Sequence, residues 1–577
     1  MRPKNMKNAT FETQLVLALV VAATLFLAPV AFAAAPGITG PTFKLTAQPA
    51  YLNMPDGEAV YSWGYGCNGV PSGFLPSDLI LSTAPFCTSM QVPGPTMIVT
   101  EGQTVTVNLI NQLPTAAGNT SILFPGFNVT TSCAAPTPVG QQGLLTCEAA
   151  PGSTVTYTFT ASAPGTHPYY SGTQGDLQIE MGLYGAVIVL PATIPANCTA
   201  GYHALNSTAI THWGEKDYRL LNATGGAGAA YDHPGSCYDR EYLFQWAEMD
   251  HRIHRQAEAQ VQAKLGCTAG TMGCSLEVQT EPYHPAYFLI NGRSMPDLMD
   301  PNYASEYPHQ PYNGNPHMHP GELTLIRTIG QGRWQHPFHE HANHVRILAR
   351  DGNLVLSSST TPVTYTSGLT GDTGVLAPGL AGLLMFNTDT TPGEAFDGIF
   401  YFTGRGLNWD PFGHHPGPDP YGDPLATLTC TPDVNGYNSS APTAVNFMEW
   451  CQDHNKPVQV APFGDVAAGG PATLPDPNVF TNGQWYSGTP YFGPDANLRG
   501  GTPACAGNPN GTPNPPNANC TNLNPANTQA NPPNERGWAF MWHSHNEREI
   551  TTNNVFPGGM LMMMLVDSRE FVIDETQ

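Results

Sequence analysis

Residues 96–109 read Thr-Met-Ile-Val-Thr-Glu-Gly-Gln-Thr-Val-Thr-Val-Asn-Leu, two runs that alternate polar and apolar side chains on either side of Glu101-Gly102. A period of two puts every second side chain on one face of an extended strand, and no helix can use such a pattern. Residues 153–160 alternate again, and residues 182–190 form an apolar run suited to a buried strand. With 60 glycines and 56 prolines punctuating such runs, the chain reads as an all-β protein with long loops. At 577 residues it has room for two to four domains. One helix is expected, over residues 248–265, rich in Gln, Ala and Glu, with His251 and His254 in solvent.

Residues 1–33 have the make-up of a secretory signal peptide: basic Arg2, Lys4 and Lys7, an apolar stretch over 15–27, and Ala31-Phe32-Ala33 as the small-residue cleavage site. The apolar stretch is shorter than the roughly 18 residues a membrane span needs, so no integral anchor is expected and the mature protein is secreted or periplasmic. Twelve cysteines in an exported chain imply disulfides. They fall into sequential neighbours, Cys67/Cys87, Cys133/Cys147, Cys198/Cys237, Cys267/Cys274, Cys430/Cys451 and Cys505/Cys520, although connectivity is not fixed by order along the chain. A net charge of -23 excludes nucleic acid as a partner.

Two short stretches carry the chemistry: His336-Pro337-Phe338-His339-Glu340-His341 and Trp542-His543-Ser544-His545. On a strand, His339/His341 and His543/His545 each offer two imidazoles to one side. Two such strands lying together would bring four imidazoles to one point, and copper and zinc sites use three or four protein ligands. Glu340, Glu547 and Glu549 stand beside them, placed to orient imidazoles or to act as acid/base groups. Other clusters read as structural. His317-Met318-His319 is expected in a loop turn, His414-His415 in solvent, and the methionines of residues 560–564 in the core.

His-Pro-Phe-His-x-His and Trp-His-x-His resemble the two C-terminal copper motifs of the multicopper oxidases, laccase-like proteins of cupredoxin fold. Val92-Pro93-Gly94-Pro95-Thr96, Glu101-Gly102 and Gly182-Leu183-Tyr184-Gly185-Ala186 resemble the framework of that family's first domain. The resemblance implies two cupredoxin-like β-sandwich domains with a long loop-rich insertion in the second. The expected boundaries are 40–195 for the first domain, 196–280 for a linker with the helix, 281–405 and 535–571 for the second domain, and 406–534 for the insertion. By motif position His339 resembles a type-2 copper ligand, His341, His543 and His545 resemble type-3 ligands, and His336 occupies the place of a blue-copper imidazole.

The chain also departs from that pattern. Leu123-Phe124-Pro125-Gly126 stands where the family has His-Trp-His-Gly, and Tyr169-Tyr170-Ser171-Gly172 where it has Tyr-His-Ser-His, which leaves Tyr170 and Gly172 at ligand positions. Ser544 replaces the blue-copper cysteine, and Glu549 stands where a second imidazole is expected. The resemblance thus implies a metal set of His336, His339, His341, His543 and His545, with Tyr170 joining the three glutamates around it. It implies one or two copper ions rather than four, with manganese, iron or zinc as alternatives. The expected function is an oxidoreductase acting on a small molecule or metal ion through a His-only mono- or dinuclear centre. The alternative is a non-catalytic metal-binding cupredoxin, and a homo-oligomer is left open.

Overall fold

A computed structural model describes residues 35–75, 89–132, 141–199, 228–357, 379–402 and 536–567, with shorter pieces near 87, 363–376, 428–451, 488–492 and 573. The described residues build two β-sandwiches. In the first, one sheet runs Met90–Gln91, Ala59–Cys67, Thr42–Asn53, Thr104–Asn111, Thr154–Thr160 and Thr130–Thr131 in spatial order. The other runs Gly165–Tyr170, Tyr184–Leu190, Met97–Thr100, Gly37–Thr39 and Phe74–Leu75. The two alternating runs read around Glu101-Gly102 therefore belong to different sheets. Gly102, at φ 81°, makes the crossing in a conformation that glycine adopts without a Cβ penalty. Trp63, Val107, Leu109, Tyr157 and Val187 fill the space between the sheets.

The second sandwich has one sheet ordered Tyr287–Ile290, Arg240–Met249, Leu323–Gly330, Ala395–Tyr401, Val345–Arg350 and Asn353–Leu354. Its other sheet carries the histidine motifs, in the order His317–Met318, Leu561–Asp567, Arg536–Ser544, His336–Glu340 and Asn387–Thr390. Phe338, Trp542, Met562, Met564 and Phe400 interdigitate between them. The strand Arg240–Met249 lies in the stretch expected to be a linker, yet it pairs with Leu323–Gly330 over seven residues of register. The second sandwich thus draws in chain from before residue 281.

The helix is shorter than expected, His251–Ala263, with the Asp250 side chain capping its first turn. It lies against the first sandwich, so His254 is buried rather than solvated. Its Nδ1 is 2.6 Å from the Tyr61 carbonyl and its Nε2 3.1 Å from the Glu180 carbonyl. His317-Met318 is a short edge strand, not a turn, because it pairs with Leu565 and Val566. Met560, Met562 and Met564 are fully buried, as expected of core methionines. His414 and His415 lie outside the described residues. From the insertion, Gly488–Phe492 pairs with residues 536–540, so that chain returns to the sheet just below the Trp-His-x-His motif.

Among pairs of described residues, Cys67–Cys87, Cys198–Cys237, Cys267–Cys274 and Cys430–Cys451 are bonded as expected; Cys133, Cys505 and Cys520 lie outside the described residues. The sandwiches are locked together by a buried polar knot. Asp397 accepts from the Thr166 hydroxyl (2.5 Å) and backbone amide (3.2 Å) and from the Tyr231 hydroxyl. Arg327, wholly buried, adds a donor to Thr166 at 3.1 Å while pairing with Glu241. Such a knot is costly to break, since any one deletion leaves a charge without its partner.

Candidate metal centre

His336–Glu340 and Arg536–Ser544 run antiparallel, with His339 directly opposite His543 and Phe338 opposite Ser544. The hydrogen bond from the His341 amide to the Met541 carbonyl (3.3 Å) carries the register one step further, and that from the His545 amide to the Pro337 carbonyl (2.8 Å) extends it the other way. Alternation then divides the motifs between two faces. Phe338, Glu340, Trp542 and Ser544 turn into the core, and His339, His341, His543 and His545 turn to the opposite side.

On that side three imidazoles converge: the ligand nitrogens of His339, His341 and His543 all lie within 4.8 Å of one another. The Nε2 atoms of His341 and His543 are 3.2 Å apart. His545 stands at the edge, its ring centre 4.8 Å from that of His339, on an exposed loop. The tautomer of His543 is set by its surroundings. Its Nδ1 is 2.6 Å from the Ser544 carbonyl, which can only accept, so the proton sits on Nδ1 and the Nε2 lone pair faces the cluster. Burial, with the neighbouring His543 and His545, pulls His339 down to about 4, and burial also lowers His543. Neutral imidazoles held this way are what a metal ion requires. The donor set fits copper or zinc better than a hard, oxygen-seeking cation.

The core face of the same strands holds something different. His336, expected among the metal ligands, has both ring nitrogens on carboxylates: Nδ1 is 2.9 Å from Glu549 and Nε2 2.8 Å from Glu248. All three side chains are almost wholly buried. Burial alone would depress His336, but the hydrogen bonds and charges of Glu248 and Glu549 outweigh it and raise it to about 9. At neutral pH it is an imidazolium donating from both nitrogens, with no lone pair to offer a metal. The Ser544 hydroxyl donates to Glu549 at 2.5 Å and Asn546 to its other oxygen at 2.9 Å. Glu248 also accepts from the amides of Arg333 and Trp334 and from the Tyr283 hydroxyl. His336, Ser544 and Glu549 do converge, as the motif positions implied, but as a closed hydrogen-bond network.

The remaining candidates separate. Glu340 is buried on the core face, held neutral by burial, and accepts from the Thr388 hydroxyl at 3.1 Å. Glu547 is exposed. Tyr170 is at the junction of the sandwiches, its hydroxyl 3.6 Å from where a Cβ on Gly393 would stand, and its backbone pairs with Leu123. Two residues escaped the sequence reading. Glu248 reaches His336 from a strand 88 positions away, and no local signal marks it. Met541 lies two residues before His543, so the same alternation that groups the histidines could have found it.

A family model described as multicopper oxidase matches residues 83–193. An L-ascorbate oxidase of Brassica rapa subsp. pekinensis is 37 % identical over 99 residues, 17 % of this chain and 16 % of that protein. Laccase-3 of Botryotinia fuckeliana is 32 % identical over 123 residues, 21 % of this chain and 25 % of its own. The chain thus spans a quarter or less of these relatives. Among solved structures, the multicopper oxidase mgLAC aligns over 92 % of this chain and 87 % of its own at 14 % identity and a TM-score of 0.39. Over residues 83–193, the stretch that contains the framework motifs, this chain is similar to the multicopper oxidases.

Proposed function

We propose that the protein is an exported copper-binding oxidoreductase that acts on a small reductant or a metal ion through a reduced, His-only centre of one or two ions. The observation that carries this reading is the convergence of His339, His341 and His543 within 4.8 Å. Copper held there would supply one-electron exchange between its two oxidation states, as the resemblance to multicopper oxidases suggests. His339, His341 and His543 would hold it, and His545 on the exposed loop would complete the set on the side open to small molecules. The Ser544 carbonyl keeps the His543 proton away from the centre. Glu248, His336 and Glu549 form a buried hydrogen-bonded block behind it, one imidazolium between two carboxylates. Since that block contains no thiolate, electrons would enter at the exposed histidine side rather than through a blue-copper site.

The experiment is elemental analysis with electron paramagnetic resonance on protein exported into copper-supplemented medium. One or two coppers per chain and no intense blue thiolate band are expected. In the double variant His341→Ala/His543→Ala, bound copper should fall to background, because two of the three converging ligands are gone. Full copper retention in that variant sinks the proposed centre. Zinc, manganese or iron in its place would correct the metal.

A further inference from the structure

Of the methionines around the motif, Met560, Met562 and Met564 are buried in the core, but Met541 and Met563 are only half-buried. They lie on the imidazole face. Met541 is two residues from His543 on one strand, and its carbonyl accepts from the His341 amide across to the next. On its other side Met541 is directly opposite Met563. The Met563 amide points away from that pair, toward the Met299 sulfur at 3.4 Å, whereas the Ser544 amide bonds to the Met560 carbonyl. Met541 and Met563 are therefore a non-hydrogen-bonded pair, the arrangement in which side chains approach most closely. His341, Met541 and Met563 form one row across three strands, next to the row of His339 and His543. Directly opposed residues in such rows have Cβ atoms about 4.5–5.5 Å apart, within reach of a methionine side chain.

We propose that Met541, with Met563 behind it, supplies a thioether ligand to the copper centre in its cuprous state. A thioether is soft and uncharged. It favours Cu(I) over Cu(II) and over Zn(II), and so would raise the reduction potential of a centre that has no thiolate. This inference rests on the proposed His centre and names the softness that centre lacks if only imidazoles are counted. Both thioethers are half-buried and lie in register with the metal-facing imidazoles.

The test is X-ray absorption at the copper edge on the reduced full-length protein, with cuprous affinity measured by chelator competition. The wild type should show a sulfur shell, and Met541→Leu should remove it and weaken Cu(I) by about 10- to 100-fold. Leucine nearly conserves the volume, and unchanged Zn(II) affinity in the same variant shows that the site is still folded. Met563→Leu should have a smaller effect in the same direction. A wild-type spectrum fitted by nitrogen and oxygen alone, or equal Cu(I) affinity in Met541→Leu, overturns the thioether ligand. If copper is bound and lost in the histidine variants while Met541→Leu is silent, only this inference fails. If wild-type protein binds no copper in either state, the proposed centre fails with it.

Discussion

The two sandwiches have kept opposite halves of the family pattern. The first contains the stretch that matches the family model, residues 83–193, and none of the five motif histidines. The second holds all five. The difference shows that framework and ligands answer to different physics. Framework glycines are demanded by packing: a Cβ on Gly182 would lie 2.6 Å from the Trp63 carbonyl oxygen, whether or not metal is present. The positions where the family motifs place histidines are occupied here by packing residues instead. At the lost motifs Leu123 and Tyr170 simply pair backbone to backbone (2.7 Å), and a Cβ on Gly172 would meet the Leu123 side chain at 2.8 Å. At those positions the first sandwich is closed by the Leu123 side chain, whereas the matching face of the second carries imidazoles that run from buried His339 and His341 to exposed His545.

The sharpest way to break this contrast is to attack the charged core of the second sandwich. His336→Ala would leave Glu248 and Glu549 buried without the cation between them. Removing one member of such a group costs about 3–5 kcal/mol. Denaturant titration should show that loss, with amide exchange placing it in the strands His336–Glu340 and Arg536–Ser544. A loss under about 1 kcal/mol would mean that the network is not charged as described.

The next effect is a pH dependence of opposite sign on the two faces of one strand. His336 is raised above its ordinary 6.5 to about 9. Its contribution is complete below about pH 6.5 and is lost as pH rises through about 9, roughly 3 kcal/mol in all. His339 is lowered to about 4, so its neutral form is favoured by folding, and stability falls as pH drops from about 6.5 toward 4. Metal-free protein should therefore show a stability maximum near pH 6.5, with both falling limbs in the second sandwich. Stability that keeps rising to pH 9 contradicts the His336 assignment.

What could be read in the chain follows the same division. Alternation is a local property, so the strands, the sidedness of both His-x-His pairs and the loss at Ser544 were all legible from neighbouring residues. Cross-chain partners were not. Glu248 meets His336 because Arg240–Met249 joins the sheet by parallel pairing with Leu323–Gly330, and parallel pairing leaves no mark at either end. The same strand runs into the helix through Asp250, which hid it behind the helical composition that follows. His254 looked solvated because its neighbours are polar. Only the packing of that helix on the first sandwich buries it.

The smallest effect tests whether the first sandwich retains any part in the centre. Tyr170 occupies one of its former ligand positions, half-buried, with burial and the Asp351 charge both raising its hydroxyl. A phenol kept neutral in this way is a poor metal ligand, and it is surrounded by Gly393, Asp351 and the Leu123 backbone. Tyr170→Phe should thus leave copper content unchanged and shift stability by no more than about 0.5 kcal/mol. The contrast with the histidine variants is the point of the measurement. If copper binding needs only the second sandwich, removing the one oxygen left at a first-sandwich ligand position costs nothing. Copper loss in Tyr170→Phe, with the melting temperature intact, would return that sandwich to the metal site and dissolve the division between framework and ligands.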